Sequence, residues 1–161
     1  MLLRVVVLKK NSIYLAVLSL MISILLIGCN FSYNKKKPNN YYYTNLLAKN
    51  LTLSTSCKAS TVDTNFYKKQ ALSEDDIDTI KKFTKAVNKK NFISCPKDLP
   101  KKPAYKIIVE FKEEKLIINV YNEKYISIYP WDGSYSMDYL NMSNIETGYN
   151  LYNLCKYLIP S

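Results

Sequence analysis

The stretch from Tyr105 to Tyr129 constrains the fold of this chain more than any other. Tyr105, Ile107, Val109 and Phe111 alternate with Lys106, Ile108 and Glu110, the two-residue period of a strand with one buried face. The polar run Lys112 to Lys115 reverses the chain, Leu116 to Tyr121 returns it, and Asn122-Glu123 turns it tightly into Tyr125 to Tyr129. Links this short permit only antiparallel pairing, because parallel neighbours need a crossover of a dozen or more residues. Pro130-Trp131-Asp132-Gly133 reads as a further turn, with Asp-Gly the favoured pair for a tight hairpin. Tyr135 to Leu140 then offers a fourth strand.

Helices flank this meander. Ser73 stands before Glu74, Asp75 and Asp76, so its hydroxyl can accept an orphan backbone N–H while the acids meet the positive end of the helix dipole. Ile77, Ile80, Phe83, Ala86 and Val87 follow at helical spacing, which predicts a helix over 74–89. Leu151, Leu154, Cys155 and Leu158 predict a closing helix over about 146–158, ended before Pro160. Thr61 to Lys68 reads as extended, with Val62, Thr64 and Phe66 on one face. Tyr41 to Leu53 is either a short helix or a helix followed by a strand, and Cys95 to Pro103 is a loop. The expected fold is α+β: an antiparallel meander of three to five strands with two helices packed on one face. Ile108, Ile117, Asn119 and Tyr121 fall on the other face, which residues 41–57 either cover or leave open.

The amino-terminal segment stands apart. Arg4, Lys9 and Lys10 precede an uncharged run from Asn11 to Gly28, the layout of a helical secretion signal. The run ends in Leu26-Ile27-Gly28-Cys29, which resembles the bacterial lipobox. That resemblance implies cleavage between Gly28 and Cys29, with Cys29 carrying a diacylglyceryl thioether and acyl chains of the palmitate type. The alternative is a plain membrane-spanning anchor, since eighteen uncharged residues approach the length needed to cross a bilayer. The lipobox reading divides the chain into a signal peptide over 1–28, a lipidated Cys29 with a basic tether over 29–40, and one domain over 41–161. It places that domain on the extracytoplasmic face of the cell membrane.

Composition then limits the chemistry. Removing residues 1–28 leaves 20 basic and 13 acidic residues, a surplus that favours anionic lipid or wall polymer as surroundings. Lys35-Lys36-Lys37 in the tether points the same way. Nucleic acid is an unsuitable partner, because the one arginine lies in the signal and export removes the ligand. The chain has no histidine and three glycines, and neither phosphate-loop motif occurs. The commonest general base, the commonest metal ligand and phosphate-cradling loops are therefore missing, and neither cofactor nor metal is expected. Cys57, Cys95 and Cys155 are odd in number for an exported domain. Cys155 reads as core, and a bridge, if one forms, joins Cys57 to Cys95.

Two sets of site residues remain. Tyr129, Trp131 and Tyr135 flank the hairpin and offer flat amphipathic area for binding, against the plainer reading that Trp131 caps the core. Asp132 and Asp138 could pair across the same hairpin as the two carboxylates of a glycan hydrolase.

As a set, several segments resemble a family of small lipoproteins of unknown function from Gram-positive bacteria. They are the Ser73-initiated acidic helix, Tyr105-Lys106-Ile107-Ile108, Ile118-Asn119-Val120-Tyr121, Tyr129-Pro130-Trp131-Asp132-Gly133 and Tyr149-Asn150-Leu151-Tyr152-Asn153-Leu154. The resemblance covers most of residues 41–159 and implies an envelope location; the family supplies no catalytic residues. The expected function is a membrane-anchored, non-catalytic binding or interaction module, with a protein partner unassigned. An accessory glycan hydrolase using Asp132 and Asp138 is the alternative.

Overall fold

The computed structural model describes Tyr14, Val17–Met21 and residues 37–54, 56–133 and 135–160. The chain forms two units, one over Met1–Lys35 and one over Lys36–Ser161. In the first, Tyr14 and residues 17–21 are helical and expose Val17, Leu18, Leu20 and Met21. Among the described residues no helix is long and apolar enough to cross a membrane. Gly28 and Cys29 lie outside the described residues.

The second unit is an α+β domain built on one seven-stranded antiparallel sheet. Its strands are β1 (Lys58–Asp63), β2 (Lys69–Ala71), β3 (Phe92–Ile93), β4 (Tyr105–Glu110), β5 (Lys115–Val120), β6 (Tyr125–Pro130) and β7 (Asp138–Asn141). They lie in the order β2-β1-β4-β5-β6-β7-β3. The meander predicted from alternation is β4 to β7. The sheet exceeds the expected three to five strands because β2 and β3 have three and two residues, too few to show any period. Their pairing comes from neighbours already in place.

Three helices accompany the sheet: α1 (Tyr42–Leu53), α2 (Glu74–Ala86) and α3 (Leu151–Leu158). All three pack on one face. Leu47 and Leu51 of α1, Ile80 and Phe83 of α2, and Leu151 and Cys155 of α3 share a single core with Ile107, Val109, Leu116, Ile118, Ile126 and Ile128 of the sheet. Burying each such aliphatic or aromatic side chain contributes about 1.5–3 kcal/mol. The segment 41–57 therefore does not cover the second face; its helix adds a third member to the first.

Several predicted boundaries shift, each for a local reason. The Ser73 cap forms as a reciprocal box with Asp76, but α2 stops at Ala86 because Asn88 caps a 3-10 turn over Lys89–Asn91. Asn150 likewise caps α3, accepting from Tyr152 N at 3.0 Å, so the predicted 146–158 helix divides into a 3-10 turn over Thr147–Tyr149 and α3. The strand predicted over 61–68 is displaced. Asp63 Oδ1 accepts from Asn65 N and Phe66 N at 2.7 and 3.0 Å, ending β1 in a turn that leaves Phe66 exposed. The buried positions of β1 are Ala59, Thr61 and Asp63, of opposite parity to the predicted Val62, Thr64 and Phe66.

The expected tight Asp-Gly hairpin is absent. Residues 131–137 link β6 to β7, and Gly133 does not take positive φ. Its lack of a side chain serves close packing instead: a Cβ there would stand 2.6 Å from Pro130 Cγ and 2.9 Å from Tyr43 Oη.

Candidate functional site

Strand register sorts the polar residues onto two faces. On the helix-covered face, Thr61, Ile107, Ile118, Ile128 and Asp138 form one cross-strand row, and each is fully enclosed. Asp138 is the only charged member, and its partners explain it. Its Oδ2 accepts from Thr44 N at 2.7 Å and Thr44 Oγ1 at 2.8 Å. Helix α1 has no acid in its first turn and no local cap, so Asp138 caps it from 94 residues away. Its Oδ1 takes no ordinary hydrogen bond and is served by the Lys37 ammonium. That ammonium also donates to Ser136 O at 2.9 Å and lies 5.2 Å from the Tyr43 ring centroid. The last lysine of the predicted tether is thus built into the domain.

The hydrolase pairing fails on this geometry. Asp138 is enclosed and committed to Thr44 and Lys37, whereas Asp132 is exposed beside Glu113, Glu114, Lys115 and Trp131 around an open cavity of about 450 Å³.

The three predicted binding aromatics also separate. Trp131 is 71 % exposed, with the Lys115 ammonium 5.9 Å from its ring, so it does not cap the core. Tyr135 packs against Tyr42 and Tyr43 at centroid distances of 5.5 and 6.3 Å, and its N–H donates to Tyr43 Oη at 3.0 Å. Tyr129 pairs with Ile117 and lies on the opposite face of the sheet. No single patch contains all three.

The second face carries the arrangement that sequence reasoning did not assemble. Lys106, Asn119, Ser127 and Tyr139 form a row across β4 to β7, with Ile117 and Tyr129 beside it. Asn119 and Ser127 are buried, while Tyr121, Tyr129 and Tyr139 around them stay half-exposed. Asn119 Nδ2 donates to Ser127 Oγ at 3.2 Å, and Ser127 Oγ lies 3.3 Å from Met137 Sδ. Among the described residues, the carbonyl oxygen of the Asn119 amide has no partner. Turning the amide over would hand that deficit to its nitrogen, so one end of a buried amide stays unsatisfied either way.

Burial raises the pKa of the Tyr129 phenol, only partly offset by its hydrogen bond with Asn119. The Tyr139 phenol is pushed up to about 12, by burial first and then by its contact with Cys95. Both rings are neutral hydrogen-bonding groups at ordinary pH. The signal for this cluster was the placement of Asn119 and Tyr121 on the second face; Ser127 and Tyr139 join it only through register.

Among the described residues no cysteines are bridged. Cys57, Cys95 and Cys155 are free thiols. Cys57 precedes β1 and Cys95 follows β3, five strand spacings or about 24 Å apart across the sheet, far beyond a disulfide's Cα reach of about 7 Å. Cys155 is buried under Thr61, whose hydroxyl donates to it at 3.4 Å, and burial pushes its thiol up to about 12.

An α+β domain whose helices cover one face of its sheet and whose polar, tyrosine-rich second face lacks them is the class this geometry defines. The chain belongs to a family defined by a domain of unknown function, DUF4883, whose model matches residues 37–155. The match begins at Lys37, the residue anchored to Asp138. The chain is similar to a candidate lipoprotein from Clostridium perfringens known from a crystal structure, with 31% sequence identity and a TM-score of 0.68 over 76% of this chain and 97% of that one. No curated protein matches it.

Proposed function

We propose that the protein is a lipid-anchored lipoprotein of the extracytoplasmic membrane face, held through Cys29, whose domain is a non-catalytic binding module. The anchor is supported by Leu26-Ile27-Gly28-Cys29 at the end of an uncharged run, and by likeness to a candidate lipoprotein of a Gram-positive bacterium. A binding role without catalysis agrees with a chain lacking histidine and with Asp138 being committed to the fold.

The observation that carries the binding role is the unpartnered end of the Asn119 amide, ringed by Tyr121, Tyr129 and Tyr139 on the face without helices. A buried amide end left alone costs about 1–3 kcal/mol. That oxygen is enclosed beneath the half-exposed tyrosines, so a ligand reaches it and recovers the loss only as they move aside, while the neutral rings supply flat contact area. The working surface is then the second face and not the Trp131 loop.

Site-specific photo-crosslinking tests this assignment. A photoreactive residue replacing Tyr121 in the full-length protein, in intact bacteria, is expected to give a discrete adduct, and one replacing Trp131 none. An adduct from position 131 alone would return the binding site to the loop.

A further inference from the structure

The geometry points to a membrane-docking edge: the β3 side of the domain rests on the anionic lipid headgroups of the membrane that holds Cys29, with Lys89, Lys90 and Lys97 facing the lipid. This rests on the proposed acylation of Cys29 and adds an orientation to it.

Lys37 is fixed in the domain through Asp138, Ser136 and Tyr43, and eight peptide bonds separate it in sequence from Cys29. Eight peptide steps reach at most about 28 Å, and several Å of that are spent crossing the headgroup layer. A globule of this size has a radius of gyration of about 14 Å, so its width exceeds the remaining tether. The edge where the tether enters must therefore stay close to the headgroups.

That edge is identified by its contacts. Lys37 and Asn39 line a cavity of about 540 Å³ with Ile93, Ser94, Cys95 and Tyr139, so the tether root runs beside β3. Farther along, the Tyr41 ring lies 5.6 Å from Phe92, and Tyr41 shares a second hollow with Lys89 and Phe92. The chain leading into β3 presents exposed Lys89 and Lys90, and the chain leaving it presents exposed Lys97. The acid that follows, Asp98, is held by the Tyr125 hydroxyl at 3.1 Å. Lysines at an anionic surface attract it by about 1 kcal/mol each, or about fivefold in the docking equilibrium.

The exposed thiol of Cys95 on this edge provides a probe. The mature protein, labelled there with a fluorophore and the site confirmed by peptide mapping, is reconstituted into phosphatidylcholine vesicles with or without phosphatidylglycerol. All vesicles carry a lipid-borne nitroxide quencher. Quenching is expected with phosphatidylglycerol and not without it, and Lys89→Gln with Lys90→Gln should lower the docked-to-free ratio about 25-fold. A twenty-residue Gly-Ser insertion between Asn34 and Lys35 should also weaken docking. Flotation with the vesicles reports the anchor separately: a chain that does not float overturns the acylation of Cys29. A chain that floats but is quenched equally in both lipids, or unaffected by the lysine changes, overturns the docked edge alone. A response to soluble polyglycerol phosphate without one to the charged vesicles would assign the edge to a wall polymer and overturn docking on lipid.

Discussion

The two faces of the sheet use polar residues in opposite ways. On the helix side, the buried carboxylate of Asp138 has every oxygen served: α1 is capped through Thr44, and Lys37 neutralises the charge. On the other side, Asn119 is also buried and, among the described residues, is left with one end of its amide unpartnered, amid tyrosines that reach solvent. A satisfied polar group inside a core reports architecture, whereas an unsatisfied one beneath an accessible surface reports a position that something else can complete. This contrast separates the part of the domain that holds the fold from the face proposed for binding.

Mutations can break the contrast. The largest effect is expected from Asp138→Ala, which removes the α1 cap and leaves Lys37, whose side chain is 13 % exposed, without its counter-charge. A loss of about 3–5 kcal/mol is expected in chemical denaturation, and a loss under 1 kcal/mol would mean that the pair does not hold the fold. Next, Ile118→Ala under the helices should cost about 3 kcal/mol, while Ile108→Ala on the half-exposed second face should cost about 1 kcal/mol or less. Equal losses would erase the distinction between the faces.

Smaller effects sharpen it. Ser73→Ala should cost about 1 kcal/mol through the lost α2 cap. Alkaline pH should act through Cys155 on the helix face. Its pKa is raised from 9.0 to about 12 by burial, so its contribution is complete below pH 9 and is lost as pH rises toward 12. Stability should fall by about 1 kcal/mol between pH 8 and 10, and Cys155→Ala should flatten that part of the profile. Smallest of all, Asn119→Leu should leave stability within about 1 kcal/mol of the parent, because the hydrogen bonds lost with Ser127 and Tyr129 are set against relief of an unpartnered group. A loss of 3 kcal/mol would show that the amide is structural and would remove the basis for a binding face.

The elements that could be read from the sequence are those whose causes are local. Helix α2 carries its own start in Ser73 and Asp76, and β4 to β6 carry their own alternation. Helix α1 stayed ambiguous because its cap is supplied by Asp138 from another part of the chain, which leaves no trace in the residues around Tyr41. The edge strands β2 and β3 exist through pairing alone. The Asp63 turn reversed the predicted face of the first strand, since an aspartate side chain that satisfies two backbone N–H groups outweighs a weak alternation.

The same holds for the candidate site. Trp131, Asp132 and Tyr135 stood out as neighbours in sequence, yet the fold sends Trp131 to solvent, Tyr135 against α1 and Tyr129 to the far face. Asn119, Ser127 and Tyr139 come from three strands and meet only through register. A pair such as Lys37 with Asp138 has no periodicity by which sequence could disclose it.

The proposed anchor and the proposed docked edge both depend on what happens at Cys29. Intact-mass and amino-terminal peptide spectrometry of the protein extracted from its native membrane tests this most directly. The account predicts a chain beginning at Cys29 and carrying a diacylglyceryl thioether. A membrane-extracted chain that retains residues 1–28, or whose Cys29 is unmodified, would contradict it.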